Sequence, residues 1–116
     1  MSFKGIRVDG VKISNGSDKN MHLNGSVINL IKDRFDEGSV ILEFGSGEGS
    51  TKQLSPIYKM ISIEEDEQRV ENEMFDSTGY HAPVGGDNNW YDVDVVKKAF
   101  EFANETYGKI DLIIVD

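Results

Sequence analysis

Cysteine is absent from the 116-residue chain, and proline occurs only twice. Without cysteine the chain has no disulfide, no thiolate metal ligand and no cysteine nucleophile. No apolar run approaches the roughly 18 residues that a membrane-spanning helix needs, and the amino terminus carries no signal-peptide core. We therefore expect a cytoplasmic protein that does not bind membranes.

Positive charge is also scarce, since 12 lysines and arginines face 21 aspartates and glutamates, for a net charge of −9. Such a field repels phosphate backbones, so nucleic-acid binding is not expected. Hydrophobic residues make up 38% and charged residues 28% of the chain, which is typical of a globular protein. A chain of this length predicts one domain, spanning residues 1–116.

The most informative stretch is residues 40–51, Val-Ile-Leu-Glu-Phe-Gly-Ser-Gly-Glu-Gly-Ser-Thr. An apolar run reaches Glu43, and glycines follow at alternate positions from Gly45 to Gly49. This pattern predicts a buried strand that ends in a tight glycine turn and opens a helix. Glycine permits positive φ and lets a ligand approach the bare backbone. On the glycines alone, an ordinary turn between a strand and a helix is an equal alternative.

A second acid follows the next apolar run. Residues 60–63, Met-Ile-Ser-Ile, predict a strand that ends at Glu64, Glu65 and Asp66. An acid about 20 residues past a glycine turn, at the end of the next strand, is placed to accept hydrogen bonds from ribose hydroxyls. The alternative is an acid in the first turn of a helix, which suits Asp66 better than Glu64.

The remaining elements alternate between strands and helices. Alternation of this kind predicts an α/β fold with a parallel sheet and right-handed crossovers. A ligand is then expected outside the carboxyl ends of the first two strands. The other predicted elements are a hairpin within 5–14, a helix over 24–35, a short helix limited by Pro56, a second strand over 57–63, a helix over 66–75, a strand over 79–82, a loop over 85–89, a helix from Asp92 or Asp94 to Gly108, and a fourth strand over 110–115.

Residues 43–49 resemble the acid-x-Gly-x-Gly-x-Gly motif of the class I S-adenosylmethionine-dependent methyltransferases, and residues 61–66 are similar to that family's second motif. Residues 80–84, 90–92 and 109–116 resemble a bacterial and phage branch of these enzymes. The resemblance implies a Rossmann-like three-layer sandwich over residues 24–116, with about four core strands in the order 3-2-1-4. Residues 1–20 would add an amino-terminal hairpin and loop. The chain departs from the family at Asp116, where such enzymes continue for three more strands.

The resemblance also implies a site and a reaction. The cofactor would be S-adenosylmethionine, the product S-adenosylhomocysteine, and the partner a small-molecule methyl acceptor. Gly45 and Gly47 would lie under the methionyl part, and Glu64 would hold the ribose. Asp116 would be a general base or a metal ligand, with a plain strand-end residue as the alternative; no metal site is predicted. The implied cofactor-binding residues are Glu43, Phe44, Gly45, Ser46, Gly47, Ser50, Thr51, Glu64, Glu65, Ala82 and Pro83.

Competing cofactors fit the turn less well. A dinucleotide fingerprint requires glycine at position 50, which is serine here, and the lysine of a triphosphate-binding loop is missing. Two other functions remain open, namely a non-catalytic module that binds S-adenosylmethionine or serves in assembly, and a binder of another adenosine-containing ligand. The predicted fourth strand would leave an open apolar edge, which we expect a second copy of the chain to cover in a homo-oligomer. Alternatively, the amino-terminal hairpin covers this edge, or the chain is a fragment of a longer gene product.

Overall fold

The structure, a computed structural model, describes residues 25–47, 49–85 and 90–115. The predicted hairpin within 5–14, Glu48, most of the predicted loop over 85–89, and Asp116 lie outside the described residues. The elements are α1 (Gly25–Arg34), β1 (Val40–Phe44), α2 (Thr51–Leu54), β2 (Lys59–Glu64), α3 (Glu67–Asn72), β3 (Thr78–His81), β4 (Val84–Gly85), β5 (Trp90–Tyr91), α4 (Val93–Tyr107) and β6 (Leu112–Val115).

Four strands form a parallel sheet in the order β3-β2-β1-β6. β6 is the predicted fourth strand, so the parallel α/β sheet and its strand order are confirmed. Strands β4 and β5 form a separate antiparallel pair that was not predicted. Within the described part of the chain, β6 and β3 are the two edges of the four-stranded sheet.

Strand β1 is buried along its whole length. Ile41 packs on one face of the sheet in a cluster with Ile28 of α1 and Leu54 of α2. Leu42 packs on the other face in a cluster with Ala99 of α4. Burial on both faces explains why the strand reads as a continuous apolar run rather than as an alternating one.

Several boundaries differ from the sequence prediction. The second strand begins at Lys59 and not at Ile57, because the amides of Ile57 and Tyr58 both donate to the carbonyl of Leu54 and prolong the α2 turn. The helix predicted over 66–75 is shorter, at Glu67–Asn72. Phe75, the last residue of the predicted helix, is 46% exposed with φ of 53° and lies outside α3.

The β1–β6 pair begins with a side-chain contact. The amide of Val40 donates to Oδ2 of Asp111 at 2.8 Å, and the amide of Asp111 donates to the carbonyl of Val40 at 2.8 Å. Lys109 Nζ lies 3.0 Å from the same carboxylate oxygen. This contact, which we call the Asp111 clasp, sets the register that places Phe44 opposite Val115.

Two further observations complete the fold. Gly108 ends α4, as predicted. It adopts the left-handed conformation, and its amide donates to the carbonyls of Ala103 and Asn104. Of the helices in the described ranges, none has both the length and the apolar character that a membrane span requires.

Candidate functional site

Two carboxylates lie at the same edge of the sheet. In the β1–β2 register Glu43 is opposite Ser62, and Glu64 follows Ser62 by two positions. Because side chains alternate between the faces of a strand, Glu43 and Glu64 project from the same face. Both are buried, at 0% and 3% exposure. The carboxyl ends of β1 and β2 therefore bring together the two acids that the sequence singled out.

The glycine turn after β1 has a backbone that other residues would strain. Gly45 has φ of 93° and Gly47 has φ of 149°. The amide of Gly45 donates to the carbonyl of Ile63 at 2.8 Å, which ties the start of the turn to β2. A residue with Cβ rarely adopts such angles, so the turn requires glycine at both positions.

Glu64 holds the near end of this turn. Its Oε1 accepts hydrogen bonds from the amide of Ser46 at 2.8 Å and from the Ser46 hydroxyl at 3.1 Å. Its Oε2 accepts from the amide of Asp66 at 2.7 Å. The same carboxylate thus links the glycine turn to the start of α3, where Asp66 caps the helix by accepting from the amide of Gln68.

Glu43 holds the far end of the turn. Its Oε1 accepts from the Ser50 hydroxyl at 2.9 Å and from the Thr51 hydroxyl at 2.8 Å. Thr51 Oγ1 in turn accepts from the amide of Gly47 at 2.9 Å. Thr51 is fully buried, so its hydroxyl connects the acid to the turn backbone where water cannot replace it. The two acids therefore hold the two ends of the turn through hydrogen bonds.

Arg69 is a site residue that the sequence did not reveal. It lies on α3, and its Nη1 donates to the carbonyl of Ser46 at 3.3 Å and lies 3.9 Å from Glu64 Oε1. Its Nε is 3.8 Å from the Glu73 carboxylate. Arg69 places one positive charge among acids, but helical spacing gives no hint that a residue of α3 reaches back to the turn after β1.

An aromatic cluster lies on the opposite face at the same edge. The Phe44 ring is 5.1 Å from the Trp90 ring and 5.4 Å from the Tyr91 ring, measured between centroids. Trp90 and Tyr91 meet edge to face at 5.6 Å. Phe44 is buried, whereas Trp90 is 43% exposed. The short β4–β5 pair carries these rings over the end of β1.

The other predicted site residues differ in how far they are exposed to solvent. Ala82 is fully buried in the core on the α4 side, so its side chain faces away from solvent. Pro83 and Glu65 are exposed, and the Glu65 carbonyl contacts the His81 ring at 3.1 Å. Asp116 lies outside the described residues.

A cleft of about 550 Å³ lies at the other end of the strands, where β1 and β2 begin. Gly38, Lys59 and Thr78 are among its lining residues, and none of the predicted site residues lines it. Tyr58, also part of its wall, donates a hydrogen bond to the carbonyl of Phe35 at 2.9 Å, just past the end of α1.

Comparison with family models finds no match, and neither do searches of curated proteins and of solved structures. The features of the chain that bear on its function are therefore the motif spacing and the geometry of the glycine turn.

Proposed function

We propose that the chain binds S-adenosylmethionine at the glycine turn in a Rossmann-like domain and belongs to a methyltransferase that acts on a small-molecule acceptor. The observation that carries this proposal is the glycine turn itself. Two buried carboxylates, Glu43 and Glu64, hold it from one face of the sheet, and Gly45 and Gly47 give it positive φ angles where β1 ends.

The charge around the turn fits this cofactor better than a phosphate-bearing one. Glu43 and Glu64 are buried beside the turn, and Glu65 and Asp66 are exposed next to it. Anions are repelled by such a cluster, whereas the sulfonium and ammonium groups of S-adenosylmethionine are attracted. Arg69 offsets part of this charge but is engaged with Ser46 and Glu64.

The hydrogen-bonding capacity of Glu64 is consistent with ribose binding. A carboxylate oxygen can accept two hydrogen bonds, and within the described residues Oε2 of Glu64 accepts one, from Asp66. A ribose hydroxyl would use the remaining capacity. Glu43, in contrast, is fully buried and bonded to Ser50 and Thr51. We therefore assign it the positioning of the turn and not a direct contact with the cofactor.

The reaction needs little from the side chains. When bound, the cofactor supplies an already activated methyl group, so the protein chiefly aligns the acceptor and excludes water. In this proposal Gly45 and Gly47 support the methionyl part with their backbone, and Ser46 is held in place by Glu64.

Calorimetry with S-adenosylmethionine, S-adenosylhomocysteine and NAD tests the assignment. We expect the first two to bind and NAD not to bind. Gly45→Ala should weaken binding by about tenfold or more, which corresponds to ~1.4 kcal/mol. The matched control is Gly38→Ala. Gly38 also has a left-handed φ, of 83°, but it lines the cleft where β1 and β2 begin, away from the glycine turn.

Both alanine variants carry a similar backbone strain of about 1–2 kcal/mol. If Gly38→Ala weakened binding as much as Gly45→Ala, the ligand would not lie on the glycine turn. Binding of NAD in preference to S-adenosylmethionine would favour a different adenosine-containing ligand. Release of S-adenosylhomocysteine across a panel of small-molecule acceptors measures catalysis, and binding without any turnover would favour the non-catalytic module.

A further inference from the structure

Trp90 presents an exposed ring next to the proposed cofactor site. It is 43% exposed, and its ring packs against the buried Phe44 and meets the Tyr91 ring edge to face. Large apolar side chains held rigidly at a surface are well suited to stack against a flat ligand, since little conformational entropy is lost on binding.

The position of Trp90 over β1 separates it from the proposed ribose site. Phe44, on which Trp90 packs, is opposite Val115 of β6 on one side and opposite Ile63 of β2 on the other. Phe44 also packs into the α4-side core, while Glu43 and Glu64 project from the other face. Val115 is 38% exposed beside it. The exposed apolar surface therefore adjoins Phe44, whose side chain is on the face of the sheet opposite to that of the acids.

The charges near Trp90 select against anionic ligands. Tyr91 is followed by Asp92, which is exposed and caps α4 by accepting from the amides of Asp94 and Val95. Asp94 is exposed as well. With a net charge of −9 for the whole chain, a ring that carries a carboxylate or phosphate is repelled from this surface.

From these observations we infer that the exposed face of Trp90 binds the methyl acceptor, and that this acceptor is a planar aromatic molecule without negative charge. The identification of the ligand as the methyl acceptor rests on the proposed function, whereas the stacking of a planar ring on Trp90 does not. The adenine ring of the cofactor is a second source of the same planar chemistry, so the test has to distinguish the two.

Trp90 is the only tryptophan of the chain, so the intrinsic fluorescence reports on this ring directly. Three probes of similar size separate the determinants: benzamide is planar and neutral, cyclohexanecarboxamide is neutral but not planar, and benzoate is planar but anionic. We expect benzamide to change the emission saturably and to bind at least about fivefold more tightly than either of the others, as ring stacking commonly contributes. Equal affinities, or no saturable change, would overturn the stacking site.

The same titration is repeated with saturating S-adenosylhomocysteine. If Trp90 binds the acceptor, benzamide binds with unchanged or higher affinity when the adenine is present. Displacement of benzamide would assign the ring to adenine and overturn the acceptor proposal. Should S-adenosylhomocysteine fail to bind in calorimetry, the proposed function fails, while the benzamide titration still decides the stacking site independently.

Ligand-observed NMR extends the test to variants that lack the fluorophore. Trp90→Ala should abolish saturation transfer to benzamide, and Trp90→Phe should retain part of it. Val93→Ala is the control, because Val93 is 44% exposed at the start of α4 and should leave binding unchanged. Melting curves from circular dichroism verify folding, and Trp90→Phe carries the test if Trp90→Ala does not fold. Loss of binding in Val93→Ala to the same extent would refute the assignment to Trp90.

Discussion

Replacement of Thr51 tests whether the buried hydroxyl closes the glycine turn. In Thr51→Val the shape is kept, but the Gly47 amide loses its acceptor and Glu43 loses the hydroxyl donor of Thr51. An unsatisfied buried amide costs roughly 1–3 kcal/mol, and a hydrogen bond to a charged group contributes about 1.5–3 kcal/mol. The two losses share one atom, so they do not add fully, and we expect a destabilisation of about 3 kcal/mol.

Thr51→Ser provides the matched comparison, because it keeps the hydroxyl and removes one methyl group. Its expected cost is about 1 kcal/mol, which leaves a difference of about 2 kcal/mol between the two variants. Since domains of this size have stabilities of roughly 5–15 kcal/mol, both variants should fold.

Urea unfolding followed by circular dichroism measures the difference. We expect the midpoint of Thr51→Val to fall well below that of Thr51→Ser without a change in the m-value. In thermal melts, Thr51→Val should unfold about 10 °C below the parent chain. If the two variants were equally stable, the hydroxyl would not join Glu43 to the turn, and the two-ended grip on the turn would be refuted.

Two further predictions concern regions outside the glycine turn. A Cβ on Gly79 would clash with the Met74 side chain, so Gly79→Ala should destabilise the fold by about 1–3 kcal/mol. In a double-mutant cycle measured by urea unfolding, Met74→Ala should cancel part of that loss. Purely additive effects of the two substitutions would contradict the clash. Burial, followed by the nearby Asp36 and Glu37, raises the pKa of Tyr58 above its usual 10.0. The stability that this shift contributes is therefore complete below pH 10 and is lost as the pH rises through the pKa of the folded state. The difference in unfolding free energy between the parent chain and Tyr58→Phe should accordingly be constant up to pH 10 and shrink above it, and a difference that grew with pH would contradict the assignment.

Strong local signals in the sequence correctly predicted most of the sheet and helices. The apolar run before Glu43 predicts β1 because that strand is buried on both faces. Pro56 predicts the short α2, which ends at Leu54. Asp92 and Gly108 mark the two ends of α4 through a side-chain cap and a left-handed residue, both of which are read from single positions.

Other features depend on tertiary contacts that no local pattern contains. Strands β4 and β5 have two residues each, too few for any periodicity to show. The reach of Arg69 to the Ser46 carbonyl joins two elements that are distant in sequence. Likewise, the spacing of Glu43 and Glu64 predicts two acids near a ligand, but not that both would be occupied in holding the turn itself.

The Asp111 clasp has a consequence for how β6 tolerates length changes. Both backbone groups of Val40 are hydrogen-bonded to Asp111 at the beginning of the β1–β6 pair. The register that aligns Phe44 with Val115 is therefore set at the amino-terminal ends of the two strands. One residue inserted between Asp111 and Leu112 would turn every following side chain of β6 to the other face. Natural variation in this strand should therefore occur by substitution, with insertions and deletions confined to the segments on either side.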